Sequence, residues 1–285
     1  MNPQKLLEQP WRQWLSQIRA LLRMDLHKSF FTKRGLLVYL LALGPSVIIL
    51  LHGIIDHRPN SDTADHVAQD TQILAAIVQL YYIRFAVFFG CMGIFTWLLR
   101  GEVVEKTLHY YFLTPVRREV LAVGKFLAGL IASATIFGSG ILLSFVLMYG
   151  HIGAAGRAYV FDGAGMSQLG NYLLTSTMAC TGYGAVFFAL SLVFRNPIVP
   201  AALLMGWETI SGILPALLQK LTITYYLKQL VPLDLPQNGL MALFTVVPQP
   251  LPKVVAVLSL CILSGVIVAG ACFGIRKMQI SYSVD

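Results

Sequence analysis

The chain has 285 residues, of which 56% are hydrophobic and only 12% are charged. A chain of this length and apolar character does not form an ordinary soluble domain, so its composition predicts a membrane protein. The net charge of +8 does not indicate nucleic-acid binding, because the basic residues flank apolar runs, where they set orientation and meet anionic lipid. The four cysteines fall within apolar runs and lack the spacing of a metal site or a disulfide framework.

Residues 1–34 precede the first apolar run and predict an amphipathic helix. Arg12, Arg19 and Arg23 follow one face, and a basic helix of this kind lies in the membrane interface. The apolar side chains recur at helical spacing on another face: Trp11, Trp14, Leu15, Ile18, Leu21, Leu22 and Leu26.

The remainder, residues 35–285, forms one predicted membrane domain. Its apolar runs are long enough to cross a bilayer of about 30 Å, so we expect an all-α polytopic fold. Prolines at 45, 200 and 215 predict kinks rather than breaks. The six predicted spans are 35–53, 82–99, 121–149, 172–194, 198–218 and 254–275.

The distribution of Lys and Arg between these spans predicts the orientation. One side of the predicted topology carries 15 of the 21 basic residues, and the other side, to which Arg84 is assigned, carries six. By the positive-inside rule both termini are cytoplasmic. We expect a multi-pass protein of the plasma membrane, here the bacterial inner membrane.

Two outer connections have distinct characters. In the first, His57, Asp62, Asp65 and His66 offer possible metal ligands, but a solvated acidic loop explains them better, and we predict no metal site. The segment at about 219–253 is too apolar for a free loop and too rich in proline for a span. We expect it to re-enter the outer interface.

The stretch "RGEVVEKTLHYYFLTPVRREVLAVGK", residues 100–125, lies on the predicted cytoplasmic side and is much longer than a turn requires. A helix over about 102–113 would place Glu102 and Glu105 on one face and Leu108 and Tyr111 on another. Thr114 and Pro115 then indicate the start of a new helix. Its first turn would hold Arg117 and Arg118, which oppose the helix dipole, so lipid head groups or a partner protein are their expected counterparts.

Together these features resemble the ABC-2 family of ABC transporter permeases. The resemblance covers nearly the whole chain in architecture, and its motif has the form E-x-x-x-x-T-L, then T-P-V-x-R, then G-K. The matching residues are Glu102, Thr107, Leu108, Pro115, Arg118, Gly124 and Lys125.

The resemblance implies that residues 1–34 form the family's connecting helix and that 102–113 form its coupling helix, which seats in a cleft of a separate ATPase. It further implies two ATPase subunits and two permeases per complex, the second a copy or a homologue, with export along the permease interface. The chain has no G-x-x-x-x-G-K-[ST] loop, so we expect no cofactor here, with ATP and Mg bound by the partner.

Two other functional classes stay open. The first is an intramembrane enzyme. The sequence contains no H-E-x-x-H or G-x-S-x-G motif, and only "FGSG" at 137–140 suggests a serine nucleophile. An ion-driven secondary transporter needs ionisable groups within the membrane, and Glu208 in "GWETISG" is a clear case. We favour a clamp between helices for Glu208, to a hydroxyl such as Thr175 or Tyr183, over contact with a substrate or proton.

Overall fold

The computed structural model describes residues 11–31, 35–55, 64–102, 105, 113, 116–150, 152–194, 196–211, 214–233 and 251–277. Throughout this part of the chain the regular structure is helical, which confirms the predicted all-α class. The helices are α1 (Trp11–Phe31), α2 (Gly35–Ile55), α3 (Ala64–Ala76), π1 (Ile77–Ala86), α4 (Val87–Thr96), π2 (Trp97–Gly101), α5 (Arg118–Gly150), α6 (Gly153–Phe161), α7 (Gly165–Val193), α8 (Ile198–Ile210), α9 (Ala216–Gln219), α10 (Ile223–Leu230) and α11 (Lys253–Lys277).

Five helices of the described chain are long and apolar enough to cross a membrane. They extend over Gly35–Ile54, His66–Gly101, Arg118–Gly150, Gly165–Val193 and Lys253–Arg276. The second of them joins α3, π1, α4 and π2 without a break, so it begins well before the predicted 82–99. The multi-pass character predicted from composition is therefore supported by five helices.

The predicted fifth span, 198–218, is not one continuous helix. The apolar helix α8 ends at Ile210, and α9 begins only after Pro215, whose backbone is extended at ψ 148. A proline has no N–H to donate and disfavours a helical backbone at the residue before it, which favours the end of the helix before this position. Pro215 therefore breaks the segment, whereas Pro45 lies inside the uninterrupted helix α2.

Polar contacts show which helix ends lie together. Arg118 donates to the backbone carbonyls of Ile275 at 3.4 Å and Arg276 at 2.9 Å, so the start of α5 lies beside the end of α11. Helix α1 packs mainly on α5 near this same end, which we call the base of the bundle. At the opposite end, the hydroxyls of Thr71 and Tyr149 are 2.9 Å apart.

Aromatic rings that insert between helices form the core. Phe95 and Phe188 are fully buried and meet edge to face with ring centroids 6.5 Å apart. Gly184 makes room for Phe95, since a Cβ at this position would lie 2.5 Å from the ring. Cys91 and Cys180 belong to this core, whereas Cys261 is exposed.

Candidate functional site

A cluster of four charged side chains joins three helices at the base. Lys125 Nζ on α5 lies 2.8 Å from Glu102 Oε1, at the end of the second long helix, and 3.4 Å from Asp25 Oδ2 on α1. Lys28, also on α1, reaches the same Glu102 oxygen at 3.4 Å. We call Asp25, Lys28, Glu102 and Lys125 the ionic cluster.

Three of the four side chains in the ionic cluster are almost completely removed from solvent. The side chains of Asp25 and Lys125 are 0% exposed and that of Glu102 is 7% exposed, whereas Lys28 remains 44% exposed. Burial raises the pKa of Asp25 above its ordinary value, while the Lys125 ammonium acts in the opposite direction. Charges buried this deeply depend on one another, because each would be costly without its partners.

Close packing beside the cluster holds α1 against α5. Gly124 precedes Lys125, and a Cβ added at Gly124 would lie 3.0 Å from Leu21 Cδ1 on α1. Leu21 is buried and lies one helical turn before Asp25, so the two side chains share the face of α1 that meets α5. In the sequence motif, Gly124 therefore allows α1 to approach α5 closely, and the adjacent Lys125 places a buried charge at the same contact.

We expect Gly124→Leu to push α1 away from α5 and to lower the free energy of unfolding by about 1–3 kcal/mol, as overpacking does in a close-packed contact. The measurement is denaturant titration of the purified protein in mixed micelles. Gly170→Leu is the matched control, because a Cβ at Gly170 meets no atom of the described chain within 4 Å. Equal stability of the two variants would contradict the close contact inferred at Gly124.

Arg117 and Arg118, which oppose the dipole of α5, find their counterparts within the chain. The Arg117 guanidinium lies over the Trp14 ring at 5.0 Å from its centroid. Arg118 donates to the last carbonyls of α11, where a cation is favourable, and the neighbouring Glu119 pairs with Arg276. These contacts hold α1 and α11 against the start of α5. They explain the two arginines without the lipid or partner contacts expected from the sequence.

The structure places only part of the predicted coupling helix. Glu102 lies in the ionic cluster, Glu105 is exposed in a turn, and Leu113 is exposed in a helical conformation. Thr107, Leu108, Tyr111 and Pro115 lie outside the described residues, as do Thr114 and most of 102–113. One continuous helix over this segment therefore stays a prediction.

Glu208 is buried in the bundle and caps the short helix α10. Its Oε1 accepts a hydrogen bond from the backbone N–H of Ile223 at 3.0 Å, and Oε2 accepts from that of Thr224 at 2.9 Å. The hydroxyl of Thr222 accepts from the next N–H, that of Tyr225, at 3.4 Å. Glu208 thus supplies acceptors for helix donors that would otherwise lie unpaired in an apolar environment.

The two hydroxyls proposed as partners of Glu208 bond elsewhere. Thr175 donates to the carbonyl of Asn171, and the hydroxyl of Tyr183 lies 3.3 Å from that of Thr224. Arg84, assigned from the sequence to the outer side, lies within π1 and is half-buried. It interacts electrostatically with both Tyr183 and Glu208, which supplies a positive charge near the buried carboxylate.

Sequence analysis did not identify Asp25 and Lys28 as site residues. In the N-terminal helix it considered only the apolar face and the face that carries the arginines. One signal was available: Asp25 follows Leu21 by four residues, which places a carboxylate on the apolar face. Within the described part of the chain, no three His, Cys, Asp or Glu side chains are grouped as metal ligands. His57 and Asp62 lie outside that part.

Comparison with known proteins gives no assignment: no family model matches the chain, and no curated protein matches it.

Proposed function

We propose that this chain is the membrane-spanning permease subunit of an ATP-driven exporter of the ABC-2 type. It would work with a second permease, a copy or homologue, and with two ATPase subunits that bind ATP and Mg. In this proposal the base of the bundle faces the cytoplasm of a bacterial cell, both termini lie there, and the protein sits in the inner membrane. The motif residues Glu102, Gly124 and Lys125 support the assignment because they meet at one place in the fold.

The ionic cluster is the observation that carries the proposal. Glu102 stands at the start of the segment 102–113, and Lys125 joins it to both α5 and α1. A force applied to that segment would reach the second long helix directly, and α1 and α5 through the buried ion pairs. Closure of the ATPases would then tilt the second and third long helices together and open the interface between the two permeases outward.

The experiment tests whether the segment 102–113 docks on an ATPase. We expect Leu108→Asp with Tyr111→Asp to abolish co-purification of the ATPase and its substrate-stimulated ATP hydrolysis in reconstituted vesicles. Each large apolar side chain lost from a buried contact is worth about 1.5–3 kcal/mol. His109→Asp, which adds a charge on the opposite face of the predicted helix, is the control and should keep both activities. A double variant that retains its ATPase and its stimulated turnover would refute the coupling role.

An ion-driven secondary transporter is a second candidate because of Glu208 and Arg84. Both are ionisable side chains within the apolar bundle, and such groups often mark ion or proton pathways. The hydrogen bonds of Glu208 to the backbone of α10 favour the structural alternative. The substitutions at Glu208 described in the Discussion separate the two. For an intramembrane enzyme the support is weaker, since the hydroxyl of Ser139 in "FGSG" donates back to the carbonyl of Ile136 at 2.8 Å.

A further inference from the structure

A cavity of about 380 Å³ lies at the base, between the end of α1, the start of α2 and the end of the second long helix. This volume falls in the range of small-molecule sites, about 300–1,000 Å³. Its walls are mostly apolar and include Val38, Ile94 and Trp97, and Arg100 lies at one side. Acidic residues are missing from the described lining.

The π-helical turn π2 shapes this cavity. Gly101 is required there, because a Cβ at this position would lie 2.5 Å from the Trp97 ring. The indole therefore folds back over the glycine and forms a wall of the cavity. Single π-helical turns inside α-helices are rare and occur often at functional sites.

Arg100 has an unsatisfied positive charge at this cavity. It is half-buried, and it forms no hydrogen bond or ion pair with any residue that the structure describes. Two arginines nearby at the base are engaged: Arg117 lies over the Trp14 ring, and Arg118 donates to the end of α11. The Arg100 guanidinium lies beside apolar walls and has no acidic neighbour in the described lining. It therefore favours an anionic ligand, to which it can donate two parallel hydrogen bonds.

Thr96 provides a second, independent sign of a missing ligand. Thr96 is one of the residues that line the cavity, and its hydroxyl oxygen is buried and has no hydrogen-bond partner within the described chain. Helix threonines elsewhere in the fold donate to the carbonyl four residues earlier; these are Thr71, Thr135, Thr175, Thr177, Thr181 and Thr209. A buried hydroxyl that forgoes this bond costs free energy unless another group bonds to it.

The cavity opens toward the lipid-facing side of the bundle. Leu37 at its rim is 64% exposed, and α2 carries further exposed apolar side chains on the same surface, among them Leu36 and Leu40. On a spanning helix, such a surface contacts acyl chains. A ligand that enters from this side is therefore itself an amphiphile of the bilayer.

We infer that this cavity binds an anionic phospholipid, with its phosphate on Arg100 and the upper part of an acyl chain along Val38, Ile94 and Trp97. Arg100 lies in the last turn of the second long helix, and the ends of a membrane-spanning helix are where lipid head groups occur. A second copy of the chain fits the cavity less well. In a two-fold symmetric dimer the same patch of both copies would meet, so the two Arg100 side chains would face each other and the patch would supply no acidic partner. The inference does not depend on the proposed transport function.

The test uses Trp97 as a reporter in the full-length protein. Trp11, Trp14 and Trp207 are replaced by Phe, and the protein is reconstituted in nanodiscs that contain brominated phosphatidylglycerol or brominated phosphatidylcholine, whose bromines quench nearby indoles. We expect phosphatidylglycerol to quench Trp97 more strongly, and Arg100→Gln to lower this preference roughly ten-fold, the loss expected for one charge-assisted hydrogen-bonded contact.

Two further variants distinguish a built site from general attraction. Gly93→Leu keeps the charge but fills the cavity, since a Cβ at Gly93 meets only Val38 Cγ2, at 3.8 Å; it should abolish the quenching. Arg12→Gln removes an exposed cation of α1 and should leave the preference unchanged. Inorganic phosphate should not compete with the lipid.

Each of the following results would overturn the inference. They are an equal effect of Arg12→Gln, no effect of Arg100→Gln or of Gly93→Leu in a folded protein, competition by free phosphate, and the same quenching by both lipids. The inference would also fail if cross-linking at Leu37→Cys showed this face covered by a second copy.

Discussion

Replacing Lys125 with methionine is expected to lower the free energy of unfolding by about 3–5 kcal/mol, the usual cost of removing one partner from a buried ion pair. Lys125 is 0% exposed and is the ammonium closest to both Glu102 and Asp25. Without it, two carboxylates face each other in a site from which water is excluded. The largely exposed Lys28 cannot compensate for both.

The measurement is denaturant titration in mixed micelles, combined with limited trypsin digestion. Loss of the buried ion pairs should release α1, so cleavage at Arg19 and Arg23 should become faster. Lys253→Met is the matched control: this exposed lysine donates to Asn171 at the opposite end, and its loss should change stability by less than about 0.5 kcal/mol.

A triple variant shows whether the ionic cluster acts as one unit. Asp25→Asn, Glu102→Gln and Lys125→Met together remove all the charges except Lys28, and well-matched neutral groups often replace a buried ion pair at little cost. We expect the triple variant to be more stable than Lys125→Met alone. If it is less stable by the sum of the single losses, the four side chains contribute independently and the cluster does not couple the three helices.

Glu208→Leu is expected to lower the free energy of unfolding by about 2–6 kcal/mol, because it leaves the N–H groups of Ile223 and Thr224 without their acceptor. A buried unsatisfied donor costs about 1–3 kcal/mol. Glu208→Gln should have an intermediate effect. The two N–H groups reach different carboxylate oxygens, and in glutamine one of these oxygens is replaced by an NH2 group, which would face an N–H instead of accepting from it. Thr222→Ala removes the third acceptor and should cost about 1 kcal/mol.

Transport assays on these variants separate a structural from a functional carboxylate. If Glu208 only caps α10, transport by Glu208→Gln should survive and should fall in proportion to the folded fraction. A Glu208→Gln protein of normal stability and assembly that no longer transports would show that the acid itself is required. That result would favour proton or ion contact and the secondary-transporter alternative.

The sequence determined the class of protein because membrane insertion depends on local composition. Long apolar runs specify spanning helices wherever they occur, and five of them became helices of sufficient length. The segment 198–218 has the composition of a span but contains Pro215, and its helix stops at Ile210. Whether a proline kinks or ends a membrane helix depends on whether neighbouring groups satisfy the freed backbone, which composition does not reveal.

The motif residues also show what the sequence determines and what depends on tertiary structure. Glu102 and Lys125 could be selected from the sequence as members of one pattern, yet nothing in the pattern showed that they form an ion pair. Asp25 was not selected at all, because its importance comes from the packing of α1 on α5 at Gly124. The role of a buried charge depends on its neighbours, and Lys125 lies 100 residues from Asp25 along the chain.

For Glu208, the sequence predicted a buried carboxylate that clamps parts of the bundle but proposed the wrong partners. Hydroxyl side chains are visible in a sequence, whereas the free backbone N–H groups of Ile223 and Thr224 exist only because α10 begins there. The sequence by itself determined that the chain is a helical, multi-pass membrane protein with a long polar connection. Only the tertiary structure decided which charges pair, which helix Glu208 caps and where Arg100 has no counter-ion among the described residues, because these depend on contacts between distant segments.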